Sequence, residues 1–226
     1  MTSTKPAVRE TAEPLGPEHV TAEGTGKRRL LPRAERRAQI LSAAASAFAE
    51  RGYSDTSMDE VANRAGITKL IVYRHFGSKA ELYQAVLESV FGRLAEVLID
   101  RIPDMVGQGA VPGALMSVAR EQPDAMRLLM VHSAREPEFS ELYRRYEAVA
   151  QSISALVLSD TGARELDRWQ ARMLAEFVTG GILNWVDDGD PARDEEVVKR
   201  LSQGARGMAS AWRELPPEPA ATSDES

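Results

Sequence analysis

Between positions 33 and 100 the apolar residues recur at helical spacing. Ile40, Ala44, Ala47 and Phe48 fall at i, i+4, i+7 and i+8, one face of a helix that starts after Pro32 and ends near Gly52. Ser57 followed three residues later by Glu60 is a capping-box signal for a second helix, with Val61, Ala62 and Ala65 facing inward. Gly66 supplies the left-handed turn, and Ile67 plugs the small core. Thr68 or Lys69 then opens a short third helix anchored by Val72 and Phe76. Ser78 and Glu81 repeat the capping signal for a long fourth helix, whose buried stripe is Leu82, Val86, Val90, Leu94, Val97 and Leu98.

Beyond it, Pro103 to Pro112, with Gly107 and Gly109, reads as a break. Shorter helices are expected over 113–120 and 123–134, and Pro137 opens another that runs to about Leu158. Two long helices close the pattern. The first covers about 164–186, with Leu166, Met173, Phe177, Gly180, Gly181 and Asn184 near one face; the second covers about 192–212, with Val197, Leu201, Ala205, Met208 and Trp212 in line. No segment alternates like a strand, and no repeat is present. The expected fold is all-α: a three-helix head (30–77) on a larger helical body (78–214), about nine helices in total. Residues 1–29 and 215–226 hold too few large apolar side chains to offset their ordering entropy and read as disordered tails.

Composition narrows the chemistry. The 226 residues are 43% apolar, enough for a substantial core, and contain no Cys. This excludes disulfides, thiolate metal sites and a Cys nucleophile. The three His, at 19, 75 and 132, are too dispersed for a His-rich metal site, so neither metal nor cofactor is expected. No apolar run approaches the roughly 20 residues of a membrane span, and the first 29 residues lack a signal-peptide apolar stretch. A cytoplasmic chain with no membrane partner is expected. The net charge of −6 is unevenly distributed: from Lys27 to Lys79 there are 11 basic and 5 acidic residues, a balance of +6 that leaves −12 for the remainder. A basic head on an acidic body is the asymmetry of a nucleic-acid binder.

The head has the arrangement of a helix-turn-helix, two small helices about a glycine turn, which lays its second helix in the major groove. Lys69 can donate to guanine O6 and N7, and Leu70 can touch a thymine methyl. Thr68 can bond a base or a phosphate. Tyr73, His75 and Lys79 can donate to phosphates and set register. The helix N-termini at Ser57 and Ser78 offer N–H groups to phosphates, and Thr56 adds a hydroxyl. The basic knot Lys27-Arg28-Arg29 can serve as a groove-seeking arm or a solvated flank.

These residues carry a resemblance. The segment from about Arg33 to Val86 is similar to the DNA-binding head of the TetR/AcrR family of bacterial transcriptional regulators. The matching residues are Ala44, Phe48, Gly52-Tyr53, Thr56, Val61-Ala62, Ala65-Gly66-Ile67, Tyr73-Arg74-His75-Phe76, Ser78-Lys79 and Leu82. The resemblance implies base contacts around Thr68, Lys69 and Leu70, and phosphate contacts from Thr56, Tyr73, His75 and Lys79. Ile71 departs from the small or hydroxylated residue of many members. Asp59 stands where some members use a basic residue on a base, so that contact is not expected here.

The resemblance further implies a ligand-responsive repressor that binds a palindromic operator in double-stranded DNA as a homodimer. The last two helices would form the dimer interface, with Phe177, Gly180, Gly181, Asn184, Leu201, Ala205 and Met208 as candidates. The body would hold a small, apolar effector against Phe91, Met126, Met130, His132, Tyr143, Tyr146, Met173 and Trp185, with Arg135 nearby for an anion. The residues alone leave core packing open as the alternative at each position. An activator, or a helical interaction module without small-molecule sensing, is the alternative function. An enzyme is not expected: there is no GxSxG elbow, phosphate loop or HExxH pair, and Asp187-Asp188 and Glu195-Glu196 read as helix-end charges.

Overall fold

The computed structural model describes residues 31–100, 110–133, 136–159 and 168–214, and among them lie nine α-helices and no strand. Both tails, the basic knot at 27–29, Gly107, Gly109, Arg135 and Leu166 lie outside the described residues. Helix α1 (Arg33–Asp55) buries Ile40, Ala44, Ala47 and Phe48, and its last turn is broken at Gly52, whose φ of 83° is open to glycine. Helix α2 (Met58–Arg64) packs against it, and α3 (Lys69–His75) packs against α2. Between them the Gly66 N–H donates to Asn63 O at 3.1 Å and the Ile67 N–H to Ala62 O at 3.0 Å, with Gly66 at φ 64°. This is the Schellman closure, and it satisfies two carbonyls at the end of α2 while turning the chain sharply into α3.

Helix α4 (Lys79–Asp100) buries all six residues of its predicted stripe. Its Ser78 Oγ accepts from the Glu81 N–H at 3.0 Å, and the Glu81 carboxylate accepts from the Gly77 N–H at 2.7 Å. At α2 only half of the expected box forms. Ser57 Oγ accepts from the Glu60 N–H at 3.2 Å, but the Glu60 carboxylate turns instead to Arg51 at 2.8 Å.

Helix α5 (Ala110–Glu121) starts before the expected 113 and carries buried Pro112 in its first turn. The single helix expected over 123–134 is divided. Helix α6 (Pro123–Arg127) widens into a π turn at Leu128–His132, where the buried Ser133 hydroxyl bonds back to Leu129 O at 2.6 Å. A 3-10 turn at Pro137–Phe139 leads into α7 (Ser140–Ser159), and α8 (Arg168–Asp188) and α9 (Asp194–Glu214) follow. In the body α8 packs on α5, α7 and α9, and α4 packs on both α1 and α5.

One continuous core runs from Ile40 in α1 to Ile182 in α8. Where head meets body, Phe48 and Tyr53 of α1, Tyr83 of α4 and Phe139 before α7 form an aromatic cluster. Its ring centroids stand 4.9 Å apart for Phe48–Tyr83, 5.0 Å for Tyr53–Phe139 and 4.4 Å for Tyr83–Phe139. A second clasp closes the far end. Arg120 of α5 makes a two-bond pair with Asp194 at 2.9 and 3.0 Å and donates to the carbonyls of Val186 and Gly189 at 3.2 and 3.0 Å, and the Trp185 indole N–H donates to Asp194 Oδ1 at 2.7 Å. The Arg120 hydrogen bond holds the Asp194 carboxyl below its ordinary value.

Candidate nucleic-acid interface

Helix α3 buries Val72 against the head core, and Phe76 beyond its end is buried beneath Arg37, whose guanidinium sits 4.5 Å from the ring centroid. That anchoring turns the opposite face outward. Thr68, Lys69, Leu70, Tyr73 and Arg74 are all exposed. Leu70, 65% exposed, and Tyr73, 44% exposed, place apolar surface on that outward side. The Gln39 amide of α1 donates to Ala65 O at 2.8 Å and pins the turn ahead of this face.

Positive charge gathers beside α3. Arg33, Arg36 and Arg37 of α1 flank half-buried His75, and Arg74 lies next to it in sequence. Among the described residues Arg33, Arg37 and Arg74 have no acidic partner. Burial first, then the charges of Arg33, Arg37 and Arg36, lowers the His75 imidazole below its ordinary value. Lys69, at the N-terminus of α3, pairs with Asp59 of α2 at 2.6 Å, which raises its pKa through the hydrogen bond and the neighbouring charge.

Two of the expected phosphate contacts are committed elsewhere. The Thr56 hydroxyl is buried and donates within hydrogen-bond distance of Ala47 O at 3.1 Å and Gly52 O at 2.7 Å, so it seals the broken end of α1 and does not face solvent. The Lys79 ammonium donates to Tyr53 O, Ser54 O and Thr56 O at 2.8, 3.0 and 3.0 Å and lies 4.6 Å from the Tyr53 ring centroid. Its three donors are thereby occupied, and it neutralises the negative end of α1 from the first turn of α4. The exposed Ser57 Oγ accepts the Glu60 N–H and keeps its own O–H as a donor, which with the free backbone N–H groups of α2 can meet an anion.

Behind the head, a cavity opens between α4, α5, α7, α8 and α9. Of the eight residues expected to line an effector pocket, Phe91 and Tyr146 line it; Met126, Met130, His132, Tyr143, Met173 and Trp185 do not. Met126 is fully buried in the core, Met130 and Tyr143 pack on the core edge, His132 and Met173 are half-buried, and Trp185 belongs to the Arg120–Asp194 clasp. The walls come instead from Leu94, Ala95 and Leu98 of α4, Val111 and Leu115 of α5, Val149 and Ile153 of α7, and Leu174 and Val178 of α8. Among the described residues the polar groups are few: Tyr146 O, 3.0 Å from Thr179 Oγ1, Ser154, Ser202, and one charge, Arg206 of α9. Burial pushes the Tyr146 phenol up to about 12.

The expected interface residues also divide. Ala205 lines the cavity. Gly181 receives Leu201 within the chain, whose Cδ2 lies 2.5 Å from where a Cβ would stand, so this close approach is between α8 and α9 themselves. Met208 packs beside Leu174 and Ala209. Phe177 and Asn184 are exposed, and Gly180 has open space at its Cβ position. Sequence reading missed Trp169, 60% exposed on α8 with its ring centroid 5.8 Å from that of Trp212.

Comparison with known proteins agrees with the head geometry. The sequence profile of bacterial regulatory proteins of the tetR family matches residues 40–86. The HTH-type transcriptional activator FasR of Mycolicibacterium smegmatis is 30% identical over 210 residues, covering 88% of this chain and 94% of its own. The HTH-type transcriptional repressor Rv3405c of Mycobacterium tuberculosis is 31% identical over 150 residues, covering 64% of this chain and 74% of its own. Among solved structures, AibR in complex with isovaleryl coenzyme A and operator DNA superposes with a TM-score of 0.58 at 20% identity, over 75% of this chain and 97% of that chain.

Proposed function

We propose that this chain, which belongs to the TetR family of bacterial regulatory proteins and is a DNA-binding transcriptional regulator rather than an enzyme, works as a ligand-responsive repressor. It binds a palindromic operator as a homodimer and releases it when a small apolar molecule fills the body cavity. The observation that carries this reading is the span of α4. Its first residue, Lys79, is tied to the end of α1 in the head, and Phe91, Leu94, Ala95 and Leu98 further along the same helix line the cavity. A ligand that presses on those four side chains acts on the helix that positions the head. The apolar walls and Arg206, the one cation among the described lining residues, suit an apolar molecule with an anionic group. Phe177, Trp169 and the open space at Gly180 give α8 an apolar outer face for a second copy.

The experiment is a linkage measurement. Decanoate, as an apolar probe with one anionic group, is titrated into the full chain with and without a duplex selected by the chain. A ligand shifts an equilibrium only by its differential affinity, and the coupling is reciprocal. The probe should bind more weakly in the presence of duplex, and the duplex should be weakened by the same factor when the probe is saturating. Equal probe affinity in both conditions contradicts the proposal. Activation is the second reading, favoured by the name of FasR and its coverage over nearly its whole length. Transcription in vitro from a promoter carrying the selected site distinguishes the two by sign.

No described helix is long and apolar enough to cross a membrane.

A further inference from the structure

We infer that Lys69 and Asp59 read one G·C base pair of each half-site as a unit, the ammonium donating to guanine and the carboxylate accepting from the cytosine amino group. This rests on the DNA-binding reading of α3. The two side chains come from different helices, Asp59 from the first turn of α2 and Lys69 from the first residue of α3, yet meet at 2.6 Å. Both remain open to solvent, 48% for Lys69 and 59% for Asp59, and the neighbours of Lys69 in sequence, Thr68 and Leu70, are exposed as well.

Neither residue stands comfortably alone at this place. A lysine at the first position of a helix meets the positive end of the helix dipole. An aspartate brought toward DNA meets the phosphates. Bonded together they present a donor beside an acceptor with no net charge. The pair therefore adds direction to the interface without adding to the sequence-independent, salt-dependent attraction.

The major-groove edge of a G·C pair offers N7 and O6 of guanine as two adjacent acceptors, followed by the N4 amino donor of cytosine. An ammonium with three donors can bridge the first two while its carboxylate partner takes the third. An A·T pair places the adenine N6 donor between its two acceptors, N7 and thymine O4, so side chains held in the same places keep the N7 match and lose the other two. The base contact that a basic residue at 59 would make is replaced here by the opposite chemistry on the other strand.

The test needs no mutation to begin. The full chain selects duplexes from a randomised pool, and the best duplex is rebuilt with N4-methylcytosine or 7-deazaguanine at one position at a time. At a single G·C pair per half-site, each modification should weaken the wild-type chain about tenfold. At that pair Asp59→Ala should be indifferent to N4-methylcytosine, and Lys69→Met indifferent to 7-deazaguanine. Asp59→Ala should also bind unrelated duplex more tightly, with a log–log salt slope steeper by up to about one. The inference is overturned if the two modifications act at different base pairs, if neither acts, or if Asp59→Ala keeps the N4-methyl penalty. Enrichment of a site without these effects sinks the paired readout alone. No enrichment of any sequence sinks the underlying reading of α3 as well.

Discussion

Lys79→Met separates two roles that its position at the edge of the head would otherwise confound. The methionine keeps the aliphatic stem and removes the ammonium that bonds Tyr53 O, Ser54 O and Thr56 O. Two of those bonds are partly buried and one is exposed. Because both are only partly buried, the first two are taken at the typical net value of a hydrogen bond, about 1 kcal/mol each, and the exposed one at close to nothing. Loss of the cation over the Tyr53 ring adds about 0.5 kcal/mol. The expected destabilisation is about 2–3 kcal/mol by urea denaturation, or about 5–10 °C in the melting temperature for a chain of this size. Affinity for a selected duplex should fall, because the end of α1 and the start of α4 lose their fixed relation. The slope of log affinity against log salt should stay the same. A phosphate contact predicts the opposite pattern: unchanged stability with a salt slope shallower by about 0.9. That second result would refute the structural assignment of Lys79.

Thr56→Val removes a buried hydroxyl from the carbonyls of Ala47 and Gly52 and should cost about 1–3 kcal/mol of stability in the same denaturation assay, again with an unchanged salt slope. Gly181→Ala places a Cβ 2.5 Å from Leu201 Cδ2 and should destabilise by about 1–3 kcal/mol, since Leu201 must shift between α8 and α9; combined with Leu201→Ala it should cost less than the two single changes summed, because the clash is gone. His75, held below its ordinary value by burial and three arginines, is neutral at pH 7 in the free chain, so protonation costs folded stability as pH falls below about 6.5. A phosphate beside it raises that value, so duplex binding should take up a proton and tighten as pH falls from about 7.5 to 6, and His75→Gln should flatten this dependence in a binding titration.

What the sequence made legible was local. Ser57, Gly66 and Ser78 act on backbone groups within four residues of themselves, and the α4 stripe needs only a helical period, so each was readable from spacing. Thr56 and Lys79 reach carbonyls 9 and 23 to 26 positions away, and nothing in the spacing shows that their donors are committed. The cavity was the least legible part. Its walls depend on the rotational phase of five helices, and residues chosen by type, such as Met126 and Trp185, fell into the core and into the Arg120 clasp. Gly180 and Gly181 invite the reading of close helix approach across a dimer, but in the fold the side chain at Gly181 is Leu201 of the same chain and the Cβ position of Gly180 is open.

The most direct test uses the absence of cysteine from the chain. A single spin label at Asn63→Cys, exposed on α2, reports the distance between two heads by pulsed dipolar spectroscopy. With a selected duplex bound, one narrow distribution is expected, consistent with heads about one helical turn of DNA apart, roughly 34–36 Å. Decanoate at saturation should shift or broaden that distribution as the duplex leaves. No dipolar coupling between labels, or the same distribution in all three states, would contradict a dimer whose cavity sets the spacing of its heads.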